Sequence, residues 1–176
     1  MLLSIVLYGD PLLRKKCAKV EKITPAIRKL VGDMLETMDA SNGIGLAAIQ
    51  VGHLLRIFIL RNYREDEKGN MVLTHHQVYI NPRLSNPSDD TQTDTEGCLS
   101  IPKVRAEVTR PYAITVEALD LDGNPFTEQL EGYKARVVMH ENDHINGQLF
   151  IDRLTPAEKK RIAPQLAALK SRFGVR

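Results

Sequence analysis

The sequence predicts an α+β fold, and three observations carry that prediction. Apolar residues recur at three- and four-residue spacing near both ends of the chain and again over 132–146. Between them, the segments 54–60, 77–80, 112–121 and 126–130 are rich in β-branched or aromatic residues and bounded by Gly, Pro, Asn and Asp. Leu121-Asp122-Gly123-Asn124-Pro125 then reads as a tight hairpin turn, because Asp-Gly tolerates the positive φ such turns require, and strands joined that way are antiparallel. The expected architecture is antiparallel sheets packed around a central helix, with N-terminal helices and a C-terminal helix.

Each element follows from local chemistry. Asp10-Pro11 and Thr24-Pro25 each set a capping side chain ahead of a proline at the first helical position, so a short helix and a longer one should start there. In the longer one Ile27, Leu30, Val31, Met34, Leu35 and Met38 form an apolar stripe that must pack on something, and Asn42-Gly43 ends it. The polar stretches 61–70 and 85–95 hold charge, Gly and Pro with few apolar residues and are expected to be surface loops. Helical spacing returns over 132–146, where Tyr133, Val137, His140 and His144 share one face expected to point inward, and Gly147 sits where the helix should stop. A last helix runs from Thr155-Pro156 toward Arg172 with Ile162, Leu166 and Leu169 on its apolar side; Pro164 should kink it or mark a late start.

Composition narrows the function. At 176 residues, 43% hydrophobic and 26% charged, the chain suits a single domain over residues 1–176. Lys plus Arg number 24 against 22 Asp plus Glu, and a net charge of +2 gives no field for sequence-specific nucleic acid or for a membrane. The opening apolar run is short, has no basic residue ahead of it and is broken by Asp10-Pro11, unlike a secretory leader. Cys17 and Cys98 lie in dissimilar surroundings and do not form a secreted disulfide framework, so a reduced, cytoplasmic protein is expected.

The sharpest chemical signal is His140-Glu141-Asn142-Asp143-His144. Residues four apart on a helix are separated by about 400° of rotation, so both imidazoles leave one face and can share one metal ion. Glu141 lies about 100° round from His140, badly placed as a ligand and well placed as a base acting on water. Two inward imidazoles without a partner would be costly to desolvate, so something must satisfy them. A third ligand is needed: Asp152 is the nearby acid downstream, and Cys98 in Glu96-Gly97-Cys98-Leu99-Ser100 is the better donor. A third segment, Gly43-Ile44-Gly45-Leu46-Ala47-Ala48-Ile49-Gln50, is small enough for close backbone approach, and Gln50 could aim a neutral amide at a developing oxyanion. Glu96 and Arg110 are expected to pair and hold the Cys98 segment, while His53, His75, His76 and Cys17 are taken as structural or surface residues. A metallopeptidase built on the same helix is the alternative enzyme, and a ribosome-binding module with structural zinc, suggested by Lys159, Lys160, Arg161, Lys170, Arg172 and Arg176, is the non-enzymatic one.

In order and type, GIGLAAIQ, EGCLS and HENDH resemble the three signature motifs of the bacterial peptide deformylases, with similarity running from Asp10-Pro11-Leu12-Leu13-Arg14 through Phe150-Ile151-Asp152-Arg153. The resemblance implies a metal-dependent enzyme that removes the formyl group from the initiator methionine of new chains, acting on N-formylmethionyl peptides. It assigns Cys98, His140 and His144 to one divalent ion, usually iron(II), with zinc, nickel or cobalt compatible with the same donors. It makes Glu141 the general base and acid and gives oxyanion stabilisation to Gln50 with the Leu99 amide. Gly45 would contact the substrate backbone, Ile44, Tyr133 and Val137 would surround the methionine side chain, and Arg105 would contact the peptide. The C-terminal helix would contact the ribosome. Position 49 departs from the pattern, since many relatives carry proline where this chain has Ile49.

Overall fold

The computed structural model describes residues 1–173. Three α-helices, α1 (Pro25–Ala40), α2 (Gly132–Ile145) and α3 (Pro156–Phe173), combine with seven strands in an α+β arrangement. The strands are β1 (Gly45–Ala47), β2 (Ile57–Glu65), β3 (Met71–Ser85), β4 (Thr91–Cys98), β5 (Ile101–Pro111), β6 (Ala113–Leu119) and β7 (Pro125–Glu131). One antiparallel sheet runs in the order β1-β2-β3-β6-β7, and β4 pairs with β5 in a second sheet. One-turn 3-10 helices occupy Pro11–Arg14, Ala48–Val51 and Phe150–Arg153.

The helix starts follow the capping chemistry. Asp10 accepts from Leu12 N–H and Thr24 from Ile27 N–H, each ahead of its proline. The α1 stripe of Leu30, Val31, Met34 and Met38 packs on Ile57 and Ile59 of β2, Leu46 and Ile80. The alternate β2 residues, Phe58 and Leu60, face the other way onto Ala135, Val138 and Met139 of α2. Strand β2 is thus covered on both faces, which explains why its sequence is a continuous apolar run rather than an alternating one. A third cluster joins Ile101, Val104, Ala106 and Val108 of β5 to Leu149, Phe150, Ile151 and Leu154 and to Ile162 of α3. Helix α2 lies between the two sheets, with its apolar side on the five-stranded one.

Two expectations fail, and one of the two alternatives for Pro164 is removed. The stretch 61–70 is not a loop: β2 continues to Glu65 and β3 begins at Met71, so the pair forms a long arm closed by a short turn. The stretch 85–95 is only half loop, since β4 begins at Thr91. Both segments are polar on both faces and stand on cross-strand hydrogen bonds, which leave no hydrophobic trace in the sequence. Helix α3 starts at Pro156 and runs through Pro164, so that proline marks no late start. Pro164 is exposed, where the carbonyl it leaves without a partner can reach water.

Candidate metal centre and active site

Two elements bring the donors together. On α2, His140 and His144 are both buried, with ring centroids 5.1 Å apart. The helix stops one residue later, because Gly147 takes φ +73°, and a Cβ there would come within 2.5 Å of the Arg14 carbonyl oxygen. Cys98 ends β4 opposite Ile101, so Leu99 and Ser100 form a two-residue hairpin turn that pushes the thiol toward α2. Cys98 Sγ lies 3.3 Å from His144 Nε2, and the donor atoms of Cys98, His140 and His144 all fall within 4.8 Å of one another. Tetrahedral sulfur and nitrogen ligands at ordinary bond lengths sit roughly 3.3–3.6 Å apart, so the spacing fits a shared ion. Among the described residues no other cluster of this kind occurs, and Asp152 is engaged with Arg14 instead.

The second ring nitrogens support the same reading. His140 Nδ1 is 2.7 Å from Glu96 Oε1. Glu96 is ionised, held well below the usual carboxylate range because hydrogen bonds from Arg110 and His140 outweigh the opposing effect of burial. The carboxylate can only accept, so Nδ1 carries a proton and Nε2 is the nitrogen that faces the site, the orientation a metal needs. Without an ion, Cys98 and Glu96 outweigh burial and lift the His140 pKa to about 10, so a proton competes with a cation for Nε2. Burial pushes His144 far the other way, toward the neutral ligand form.

Glu96 is itself the hub of a buried ion network. Arg110 donates to it from Nε at 2.6 Å and Nη2 at 2.9 Å, and Arg136 Nη1 adds a bond at 2.6 Å. Arg110 Nη1 reaches Asp143 at 2.9 Å, and Arg153 closes on Asp143 with two bonds of 2.6 Å. The expected pairing of Glu96 with Arg110 is therefore real, and larger than expected. Arg136, Asp143 and Arg153 were missed by the sequence reading. The available signal was helical spacing, since Arg136, His140 and Asp143 fall on one side of α2.

Glu141 contrasts with Glu96. It is equally buried, its Oε2 has no hydrogen-bond partner, and burial pushes its pKa up to about 7. A Cβ at position 45 would overlap the Glu141 carboxylate, so Gly45 is required for this close approach. Gln50 is oriented from both ends: Oε1 accepts from Ala47 N–H at 2.8 Å, while Nε2 donates to Ser100 Oγ at 3.1 Å and faces Cys98 Sγ at 3.4 Å. Ser100 was not anticipated as the group that aims it.

Ile44, Gly45, Leu99, Tyr133, Val137 and Arg105 line one cavity of about 440 Å³, together with Gln50, Glu96, Cys98, His140 and Glu141. Its size suits a small ligand or a peptide end. One expectation is corrected here: Tyr133 does not point into a core but is 54% exposed. The face it shares with Val137 and His140 looks into the open cavity, and Tyr133, on the first turn of α2, stands at the mouth. The remaining histidines and the second cysteine stay outside. His75 meets Asn62 at 3.0 Å, His76 meets Asp39 at 3.0 Å, His53 is exposed and Cys17 is buried in a core.

The sequence profile of the polypeptide deformylases matches residues 2–160. The chain belongs to the peptide deformylase family. It is 41% identical over 159 residues to the peptide deformylase of Nitrobacter hamburgensis, covering 90% of each chain. It is 40% identical over 173 residues to that of Brachyspira hyodysenteriae, covering 97% of this chain and 90% of the relative. The fold is similar to the crystal structure of peptide deformylase from Ehrlichia chaffeensis, with a TM-score of 0.86, 36% identity and 98% coverage of both chains. Peptide deformylases are enzymes and the family is metal-dependent, which agrees with the Cys98, His140 and His144 cluster. Membership does not favour the alternative of a metallopeptidase on the same helix.

Proposed function

We propose that this chain, acting as a single catalytic domain over residues 1–176, removes the formyl group from N-formylmethionyl peptides and releases formate. One observation carries the reading: a thiol and two imidazoles converge beside a buried carboxylate with a free oxygen, in a chain whose relatives bear the name of this reaction.

Cys98 Sγ and one ring nitrogen each from His140 and His144 would hold the divalent ion, and iron(II) is the ion we assign, although zinc, nickel and cobalt suit the same donors. When bound, that ion supplies Lewis acidity toward water and toward a carbonyl oxygen. Glu141 Oε2 accepts the proton of the attacking water and later delivers it to the departing amine nitrogen. A pKa of about 7 suits both halves of that shuttle near neutrality. The Gln50 amide and the Leu99 N–H meet the negative charge that grows on the formyl oxygen. Ile44, Val137 and Tyr133 receive the methionine side chain, and Arg105 contacts the peptide beyond it. Gly45 and Leu99 wall the reacting carbon closely, so a formyl group bearing only hydrogen fits where a larger acyl group clashes.

The surroundings of the reaction follow from its substrate. Among the described residues no helix is long and apolar enough to cross a membrane. Action on newly made chains places the enzyme in the cytoplasm and brings it to the ribosome, with the exposed cations Lys159, Lys160, Lys170 and Arg172 of α3 as the contact. Arg161 of that set is engaged by Glu158, and Arg176 lies outside the described residues.

Formate release from formyl-Met-Ala-Ser, run beside the acetylated peptide, tests the reading. Turnover of the formyl peptide alone is expected. Turnover of both would replace deformylation with a broad amidohydrolase, and cleavage of internal peptide bonds would restore the metallopeptidase.

A further inference from the structure

The mouth of the cavity carries two cations with no partner. Lys103 and Arg105 line it, both are exposed, and among the described residues neither side chain forms an ion pair or a hydrogen bond. The cavity's own carboxylates leave them free. Glu96 is buried under Arg110, Arg136 and His140, and Glu141 is buried against Gly45.

The backbone puts them there. Along β5 the residues facing the core are Ile101, Val104, Ala106 and Val108, so two residues separate the first pair and one separates each later pair. Between Gly97 paired with Arg105 and Cys98 paired with Ile101 the register shifts by three residues, so Pro102, Lys103 and Val104 bulge out of the ladder. Strict alternation from Ile101 would turn Lys103 inward; the bulge turns it outward. Lys103 takes the change of direction at φ +63°, a left-handed conformation that is strained for a lysine. Arg105 lies opposite Gly97, and a Cβ there would touch its Cγ at 3.6 Å, so the stem runs along the glycine beside Cys98.

We propose that Lys103 and Arg105 form a selectivity rim for substrates with an acidic side chain a short way downstream of the formylmethionine. The inference rests on the deformylase reading and adds a substrate class to it. An exposed pair of this kind is worth about 0.2–1 kcal/mol, or roughly a 1.4- to 5-fold preference for each cation engaged. It should weaken as salt screens it.

The test is kcat/KM on C-terminally amidated formyl-Met-Ala-Xaa, where Xaa is Glu, Gln or Lys, at low and high salt, with unamidated formyl-Met-Ala-Gln as the control for a terminal carboxylate. We expect Glu to exceed Gln by about 2- to 10-fold through KM, Lys to fall below Gln, and high salt to flatten the series. Lys103→Gln and Arg105→Gln should each shrink the ratio of Glu to Gln, and Lys103→Glu should invert the order of Glu and Lys, an inversion that a folding defect would not produce. Equal rates for all three peptides would overturn the rim while leaving deformylation standing. So would a preference that survives in the double Gln variant, or a gain confined to the terminal carboxylate. Formate from none of the peptides would overturn the reading beneath it as well.

Discussion

Glu96 and Glu141 border the same cavity and are 6% and 4% exposed, yet their surroundings give them opposite characters. Glu96, on β4, meets two guanidiniums and an imidazole, and these override its burial to keep it ionised. Glu141, on α2, packs against Gly45 and keeps one oxygen without a partner, and burial, helped by the negative charge of Glu96 and Asp143, raises its pKa against the pull of His140 and Arg110. Equal burial therefore does not mean equal chemistry. A carboxylate whose lone pairs are filled positions a neighbour, and one left unpaired can move a proton.

Replacing each carboxylate separates those roles. Glu141→Ala should retain the metal and lose about 10²- to 10⁴-fold in kcat, the scale of a proton-transfer group, and near-normal turnover would remove Glu141 from the mechanism. Glu96→Ala should act on assembly instead. It leaves Arg136 buried without its counter-ion and Arg110 with Asp143 alone, costing about 3–5 kcal/mol in denaturant unfolding, and weakens metal binding about 10- to 100-fold as His140 loses its orienting bond. An unchanged unfolding midpoint would contradict that. Gln50→Leu tests a neutral amide in the same cavity: kcat should fall about 10²- to 10³-fold, whereas a rise confined to KM would make Gln50 a binding residue.

The smallest expected effect is in pH dependence, where the two carboxylates have opposite signs. Glu96 has a depressed pKa when folded, so its contribution is present above the ordinary carboxylate value of about 4.3 and is lost as pH falls. Glu141 is raised to about 7, so stability declines as pH climbs from about 4.3 through 7. In metal-free protein, Glu141→Gln should flatten that decline and raise Tm at pH 8 by at least about 2 °C, with little change near pH 4. An equal shift at both values would show that Glu141 is not titrating in this range.

The contrast also explains what was legible in the sequence. HENDH is local, so helical geometry alone brings two imidazoles to one face, and the apolar runs and capped starts of α1 and β2 are local in the same sense. The partners that divide Glu96 from Glu141 are not. Arg110 and Arg136 reach Glu96 only after β4 and β5 have paired and packed on α2, and nothing in Glu96-Gly97-Cys98 signals a buried hub of charge. Strand β5 was missed although its inward Val104, Ala106 and Val108 alternate with outward Arg105, Glu107 and Thr109; that alternation was the usable signal. The family resemblance supplied the thiol as third ligand with more force than composition could, because a lone cysteine after a glycine is equally at home in a core.

Elemental analysis beside formate release tests most directly whether Cys98 completes the donor set. Purified protein should hold one divalent ion per chain and deformylate formyl-Met-Ala-Ser, and Cys98→Ser should lose both properties while keeping its fold by circular dichroism. A full complement of metal in Cys98→Ser, or formate released at the normal rate by metal-free protein, would contradict that assignment.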